Sequence, residues 1–329
     1  MKNEINNNLT NQNKQKNITY FGGCWPTNIG NSFIDLGSMQ SLKMVDSNAL
    51  INFTSEISKW FFYSNKKNLK NTFNLANVIK SDYIVVSGML LCDEFIKLYE
   101  PIISNLIKKN VKFIINGGGG ANYTKNEITN FRNFLKRNPP YAFISRDEPS
   151  FKNYKDLARH SYSGVDCGFF VSDSFDPVKL DLPKFTVLNF DKPKFHKFLK
   201  VIKNKLFFKK TKKIIPEIKN KFVINTHHSC WKNIPRSHFL KPNTLISDIP
   251  NDYLNLYANA EETYSDRVHA CVATLIFGHP AMLFSQTQRA YLFEKVGAGT
   301  IKEKLTYPDM ERISKEKKKH LDFLSYILR

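Results

Sequence analysis

The chain has 329 residues, 42% of them hydrophobic, and a formal net charge of +20 at pH 7. That length predicts two domains of roughly 100–200 residues each, with enough apolar sequence for a sizeable core. The charge favours anionic partners such as phosphates, acidic lipid head groups, acidic glycans or nucleic acid, and the lack of any stretch near ~20 apolar residues excludes a membrane-spanning helix.

Residues 1–17 are polar and rich in Asn and Lys, without the apolar run of a secretory signal. They are expected to form a disordered tail. The first strand, Ile18-Thr19-Tyr20-Phe21, ends at Gly22-Gly23. A loop then leads into a helix starting near Ser32, the opening unit of an α/β sheet. Tyr83–Ser87 is an apolar run closed by Gly88, as suits a central parallel strand buried on both faces. A helix is predicted over Asp93–Lys109, where Phe95, Tyr99, Ile102, Ile103 and Leu106 keep helical spacing. The strand Lys112–Asn116 enters Gly117–Gly120, and a helix covers Lys125–Lys136. The strand Tyr141–Ser145 ends at Arg146-Asp147-Glu148, before a helix over Ser150–Leu157. This alternation predicts a doubly wound parallel sheet for residues 18–175. Asp173–Pro183 reads as the link to a second domain, residues 176–329.

The second half repeats the rhythm. A strand is predicted at Phe185–Phe190, followed by the basic segment Lys192–Lys221. The next strand, Phe222–Thr226, ends at His227-His228. After a short strand at Leu245-Ile246 and a helix over Asp252–Ala260, the strand Glu262–Ser265 runs into Asp266-Arg267-Val268-His269. A helix over Ala270–Phe277, a strand at Ala281–Phe284 and a C-terminal helix over Asp309–Leu328 complete the pattern. Within the basic segment, the amphipathic stretch Phe195–Lys213 could rest on an acidic membrane as a peripheral contact. Burial of its apolar face in the core is the commoner fate of such a stripe.

The five cysteines, Cys24, Cys92, Cys167, Cys230 and Cys271, are scattered and never form C-x-x-C. They argue against a disulfide framework and a zinc site, and a reducing cytoplasm is the expected location. No metal or cofactor is called for, and no nucleic-acid-binding motif is present.

In open α/β sheets, ligands gather beyond the carboxyl ends of the strands. Three polar clusters fall there: Arg146-Asp147-Glu148, His227-His228 and Asp266-Arg267-Val268-His269. Arg267 and His269 would stand near a helix N-terminus, which favours anions. Arg267 adds a bidentate donor, and His269 a proton donor near neutral pH. The competing reading pairs Arg267 with Asp266, leaves His269 as a helix cap, and pairs Arg146 with Asp147 or Glu148. Gly22-Gly23 and Gly117–Gly120 lack the Walker ending, so they read as tight turns at least as well as phosphate cradles. Adjacent histidines on a strand point opposite ways, so one of His227 and His228 is structural.

The order of segments resembles the polysaccharide pyruvyl transferases. Asn28-Ile29-Gly30-Asn31 is similar to their Asn-x-Gly-Asp/Asn loop, and Ser145–Ser150 to their Ser/Val-Arg-Asp-x-x-Ser corner. Gly164–Phe169 is similar to the Asp-containing strand end that follows. Ser265–His269 through Gly278-His279-Pro280 resembles their Ser-x-Arg-x-His…Gly-x-Pro signature. Two segments depart from the family. Ser87-Gly88-Met89-Leu90 stands where a glycine run is usual. Phe284–Arg289 stands where a lysine is usual, so either Arg289 supplies the charge or Gln288 takes the position and leaves it absent.

The resemblance implies two Rossmann-like domains facing a cleft, GT-B-like, and transfer of pyruvate from phosphoenolpyruvate to two hydroxyls of one sugar, forming a ketal. It places Arg146, Arg267 and Val268 at the donor, with Asn28, Gly30, Asn31 and Arg289 completing the binding set. A sugar or lipid-linked glycan is the implied acceptor. Protonation of the enol carbon needs an acid, for which His269 is the candidate, and the hydroxyl proton needs a base, for which Asp166 and Glu148 are candidates. The alternative is a GT-B-like glycosyltransferase using a sugar nucleotide, with Arg267 on the diphosphate.

Overall fold

The computed structural model describes residues 15–55, 74–191, 221–229 and 240–329. Residues 1–14, the stretch Phe195–Lys213 and Cys230 lie outside them. The first sheet joins β1 (Asn17–Phe21), β2 (Leu50–Thr54), β3 (Tyr83–Leu91), β4 (Lys112–Gly120), β5 (Ala142–Ser145) and β6 (His160–Ser163) in the order β2-β1-β3-β4-β5-β6. The second joins β7 (Phe185–Asn189), β8 (Phe222–Thr226), β9 (Thr244–Leu245), β10 (Glu262–Ser265) and β11 (Ala281–Leu283) in the order β11-β10-β7-β8-β9. Every pairing between these strands is parallel.

The two-sheet α/β architecture is as expected. Two strands of the first sheet, β2 and β6, had no counterpart in the sequence reading. Both are edge strands, and β6 carries no fully buried side chain. An edge strand covered on fewer sides needs no continuous apolar run, so its signal is weak. Gly117–Gly120 form neither a turn nor a cradle: they continue β4 as buried strand.

Each sheet has one point where the strand order reverses, between β1 and β3 and between β7 and β10. Ligand crevices form at such points. A shared core locks the sheets together. Phe33, on the helix α1 (Gly30–Val45), and Phe169 and Phe170, on the 3-10 segment Cys167–Ser174, belong to the same apolar cluster as Val187, Tyr257 and Val272 of the second half. The C-terminal helix Met310–Ile327, expected with the second domain, returns to the first: Leu324, Ile327 and Leu328 pack with Ile18, Tyr20 and Val85. That apolar face finds its cover on the first sheet, whose core residues come from distant segments.

Two buried imidazoles tie the structure to pH. His320 bonds Asn116 Oδ1 through Nε2 at 2.8 Å and accepts from the Val165 amide through Nδ1 at 3.3 Å. His228 bonds Tyr257 Oη at 2.7 Å. Burial pushes each down to about 3 from an ordinary 6.5. Between those values the unfolded chain binds protons that the folded chain refuses, so stability rises with pH. Asp35, pushed up by burial to about 6 from 3.8, acts in the opposite sense and offsets part of this below pH 6. The unfolding midpoint is therefore expected to fall as pH drops from 6.5 towards 4, with a slope flatter by about one proton in a His320→Asn variant. Thermal melts across that window check this, and a flat midpoint would contradict it.

Candidate active site

A cavity opens where the first sheet reverses order. Gly22 and Gly23, just past the end of β1, and Val86, Ser87, Met89 and Leu90 of β3 line it together with Asn28 and Asn31 of the following loop and helix. From elsewhere come Arg146, Val268, His269 and Arg289. Seven of the ten residues expected at the site thus meet at or beside this cavity: six line it, and Gly30 stands behind them. A Cβ on Gly30 would sit 3.0 Å from His269 Cβ and 3.2 Å from His228 Nδ1, so this glycine lets α1 approach the second domain closely.

Arg146 follows β5 and is fully buried. Its Nη1 donates to Asp166 Oδ2 at 2.9 Å, and its Nε lies 3.8 Å from Asp147 Oδ2. Nε and Nη2 have no hydrogen-bond partner among the described residues. Buried guanidinium donors are costly to leave unpaired, and these belong to a cavity-lining residue. Gly119 makes room for this side chain, since a Cβ there would collide with Arg146 Nε. A Gly119→Ala variant is therefore expected to displace the guanidinium and weaken binding of an anionic ligand such as phosphoenolpyruvate at least ~10-fold, as misplacement by about 1 Å can cost more than that. Calorimetric titration checks it, and unchanged affinity would contradict it.

Asp166 is the hub beneath Arg146. Its carboxylate accepts from Arg146, from the Gly168 amide at 2.8 Å, and faces His269 Nε2 at 3.4–3.5 Å. Burial alone would push this carboxyl up, but the positive fields of His269 and Arg146 override it and hold it well below the usual carboxylate range. Asp166 is fully buried and fully engaged. Glu148 stands elsewhere: its side chain is half exposed, 3.8 Å from Lys152 Nζ, and bonds Ser163 rather than facing the cavity. Its place at the start of the helix Glu148–Tyr154 points it outward.

Val268 and His269 form the first turn of the helix Val268–Ile276, which begins two residues earlier than the sequence suggested. Arg267, its N-cap, donates through Nε to Asp191, not to Asp266. Asp191 also accepts from the His228 amide at 3.2 Å and meets His227 Nδ1 at 3.3 Å. Burial raises its carboxyl, yet His227 and Arg267 bring it below the ordinary range. His227 and His228 are both buried and neither lines the cavity. Arg289, on the segment that departs from the family, supplies a third positive charge. Its Nε donates to Thr287 Oγ1 at 3.1 Å. Burial, then the charges of Arg146 and Arg267, push its pKa down to about 10. Arg289 and Arg146, from the two halves of the chain, line the same cavity.

Asp191 and Asp35 were not anticipated. Asp191 lies just past the end of β7, so the strand-end rule applied once more would have found it. Among the described residues, no group of three or more His, Cys, Asp or Glu is placed to hold a metal ion.

A family model described as polysaccharide pyruvyl transferase matches residues 28–287. Comparison with curated proteins finds no significant match. Among solved structures, the UDP-N-acetylglucosamine 2-epimerase of Rickettsia bellii is similar at 14% identity and a TM-score of 0.56, over 95% of this chain and 97% of that one. The UDP-GlcNAc 2-epimerase of Neisseria meningitidis, bound to UDP-GlcNAc, is similar at 14% identity and a TM-score of 0.53, over 95% and 93%. That of Methanocaldococcus jannaschii gives 14% and 0.53, over 95% and 100%. At such identities the likeness concerns the fold, which is GT-B-like.

Proposed function

Since the chain belongs to the polysaccharide pyruvyl transferase family, we propose that it moves pyruvate from phosphoenolpyruvate onto two hydroxyls of one sugar, forming a cyclic ketal and releasing phosphate. The sugar belongs to a polysaccharide or a lipid-linked glycan precursor. The observation that carries this reading is that two guanidinium groups from opposite halves of the chain, Arg146 and Arg289, line one cavity together with His269. Mutual repulsion among cations is unfavourable by itself, and a small, densely anionic ligand relieves it. Phosphoenolpyruvate, with its carboxylate and phosphate on neighbouring atoms, is such a ligand.

In this reading Nε and Nη2 of Arg146, which have no hydrogen-bond partner among the described residues, take one anionic group, and Arg267 and Arg289 the other. His269 donates a proton to the methylene carbon, creating an oxocarbenium-like centre that a sugar hydroxyl attacks. Asp166 orients His269 and Arg146 together and is not itself the base. Phosphoenolpyruvate is a substrate, and the reaction as proposed calls on no metal or cofactor. No helix among the described residues is long and apolar enough to cross a membrane. A cytoplasmic enzyme, touching the membrane where lipid-linked acceptors reside, fits this chemistry.

The experiment is incubation with phosphoenolpyruvate and a panel of aryl- and lipid-linked hexosides, reading phosphate release and an acid-labile ketal. Acceptor-dependent phosphate release is expected. Release of nucleoside diphosphate from a sugar nucleotide, with none of phosphate from phosphoenolpyruvate, would transfer the site to the glycosyltransferase reading.

A further inference from the structure

The cavity lining contains two chemically different groups of residues. Arg146, His269 and Arg289 form one; Phe21, Phe95 and Tyr99 form the other, with Phe95 and Tyr99 stacked at 4.7 Å and Phe21 edge-on to Tyr99 at 5.7 Å. Asp35 also lines the cavity, and it is a buried carboxylate with no cationic side chain in salt-bridge contact among the described residues. It is held by neutral donors only: Tyr20 Oη on Oδ1 at 2.8 Å, and the Gly23 amide and Trp25 Nε1 on Oδ2 at 2.8 and 2.7 Å. Such a carboxylate has about four acceptor sites, and these donors fill three. Gly22 keeps the approach clear, because a Cβ there would come within 2.6 Å of Oδ1.

The placement is set by α1. Gly30 abuts His269, and Asn31 and Asp35, four residues apart, share one face of the helix. Five residues of rise put Asp35 about 7.5 Å along the axis from Gly30. That span leaves room for a reacting centre beside His269 and a sugar ring beside Asp35. Charge assigns the two substrates the same way. A carboxylate repels an enol phosphate, so the anion belongs beside the arginines and the neutral sugar beside Asp35, against aromatic walls of the kind that line small-molecule sites.

We infer that Asp35 is the general base of the reaction, accepting the proton of the attacking sugar hydroxyl, and that the acceptor sugar occupies the part of the cavity lined by Phe95 and Tyr99. This rests on the pyruvyl-transfer reading. In the step, His269 protonates C3 of phosphoenolpyruvate, the first hydroxyl oxygen bonds to C2, and its proton passes to Asp35. The second hydroxyl then bonds to C2 as the C2–O bond to phosphate breaks, and its proton leaves with the phosphate. Proton return from Asp35 to His269 through solvent resets the site, so one hydroxyl hydrogen ends on the new methyl group and the other on phosphate. Burial lifts Asp35 to about 6, against the pull of Trp25, Gly23 and Tyr20, which leaves it mostly ionised at neutral pH and more basic than an ordinary carboxylate.

The test is Asp35→Asn in the full chain. The amide oxygen can keep the Gly23 and Trp25 bonds, and the amide nitrogen can donate to Tyr20, whose hydroxyl turns to accept, so the fold is expected to hold. With the hexoside that the wild-type enzyme pyruvylates, kcat should fall at least ~100-fold, while phosphoenolpyruvate affinity by calorimetry stays the same or tightens. Asp35→Ser, which keeps an acceptor but no base, should lose as much, and thermal melts check both variants. If either folded variant keeps kcat within threefold of wild type, or loses phosphoenolpyruvate affinity instead, the base assignment is overturned. If the wild-type enzyme releases no phosphate with any hexoside, the underlying reading falls first.

Discussion

An Arg146→Lys enzyme is expected to release phosphate from phosphoenolpyruvate at least ~100-fold more slowly than wild type while remaining folded. Arg146 does two things at once: Nη1 holds Asp166, and Nε and Nη2, in the wall of the cavity, have no hydrogen-bond partner among the described residues. A planar fork can serve both directions, whereas a lysine ammonium is one compact charge at the end of a flexible stem. Drawn to Asp166, it leaves the ligand; drawn to the ligand, it leaves a buried carboxylate unpaired. Arg146→Met removes the charge altogether and should destabilise the fold by about 3–5 kcal/mol, the range for breaking a buried ion pair from one side. The lysine variant therefore separates the binding role from the structural one. Steady-state phosphate release, compared with a thermal melt of the same preparation, reads the difference. Wild-type kcat/KM in the lysine variant would end the donor-binding role of Arg146.

His269→Gln is expected to lower kcat by about 10²–10⁴-fold, the usual worth of a positioned acid, with phosphoenolpyruvate affinity changed only a few-fold. Glutamine can still reach Asp166 but cannot deliver a proton to carbon. His269 sits on the first turn of the helix Val268–Ile276, and its Nε2 faces Asp166. A variant that loses affinity but keeps kcat would make His269 a phosphate ligand rather than the acid. Asp166→Asn should reproduce part of the kcat loss, because the imidazole and Arg146 lose their common anchor.

Much of this arrangement is legible in the sequence because parallel α/β folds place chemistry at strand ends. The runs at Tyr83–Ser87 and Tyr141–Ser145 mark central strands, and the polar residues after Tyr141–Ser145 and Glu262–Ser265 mark the site. Arg146 and His269 were recoverable that way, and Arg289 through the family resemblance. What stayed hidden was direction. Sequence cannot tell that Glu148 turns to solvent beside Lys152 while Asp166 turns inward under Arg146. Nor can it tell that Arg267 bypasses its neighbour Asp266 for Asp191, a partner 76 residues away. Asp35 was invisible for another reason. A single acid inside an amphipathic helix reads as solvated surface, and only the fold reveals that Tyr20, Gly23 and Trp25 close around it.

The terminal helix shows the same limit at the level of domains. Its apolar stripe was clear, but its cover was not, because the residues it buries against, Ile18 and Tyr20, lie at the other end of the chain. Long-range packing of that kind leaves no local mark.

The most direct measurement is a calorimetric titration of phosphoenolpyruvate into the wild-type protein and into an Arg267→Gln, Arg289→Gln double variant. Saturable binding to one site is expected for wild type, weakened at least ~100-fold when both guanidinium groups are gone. No binding to the wild-type protein, or equal binding to both proteins, would contradict a site built to hold an enol phosphate between the two domains.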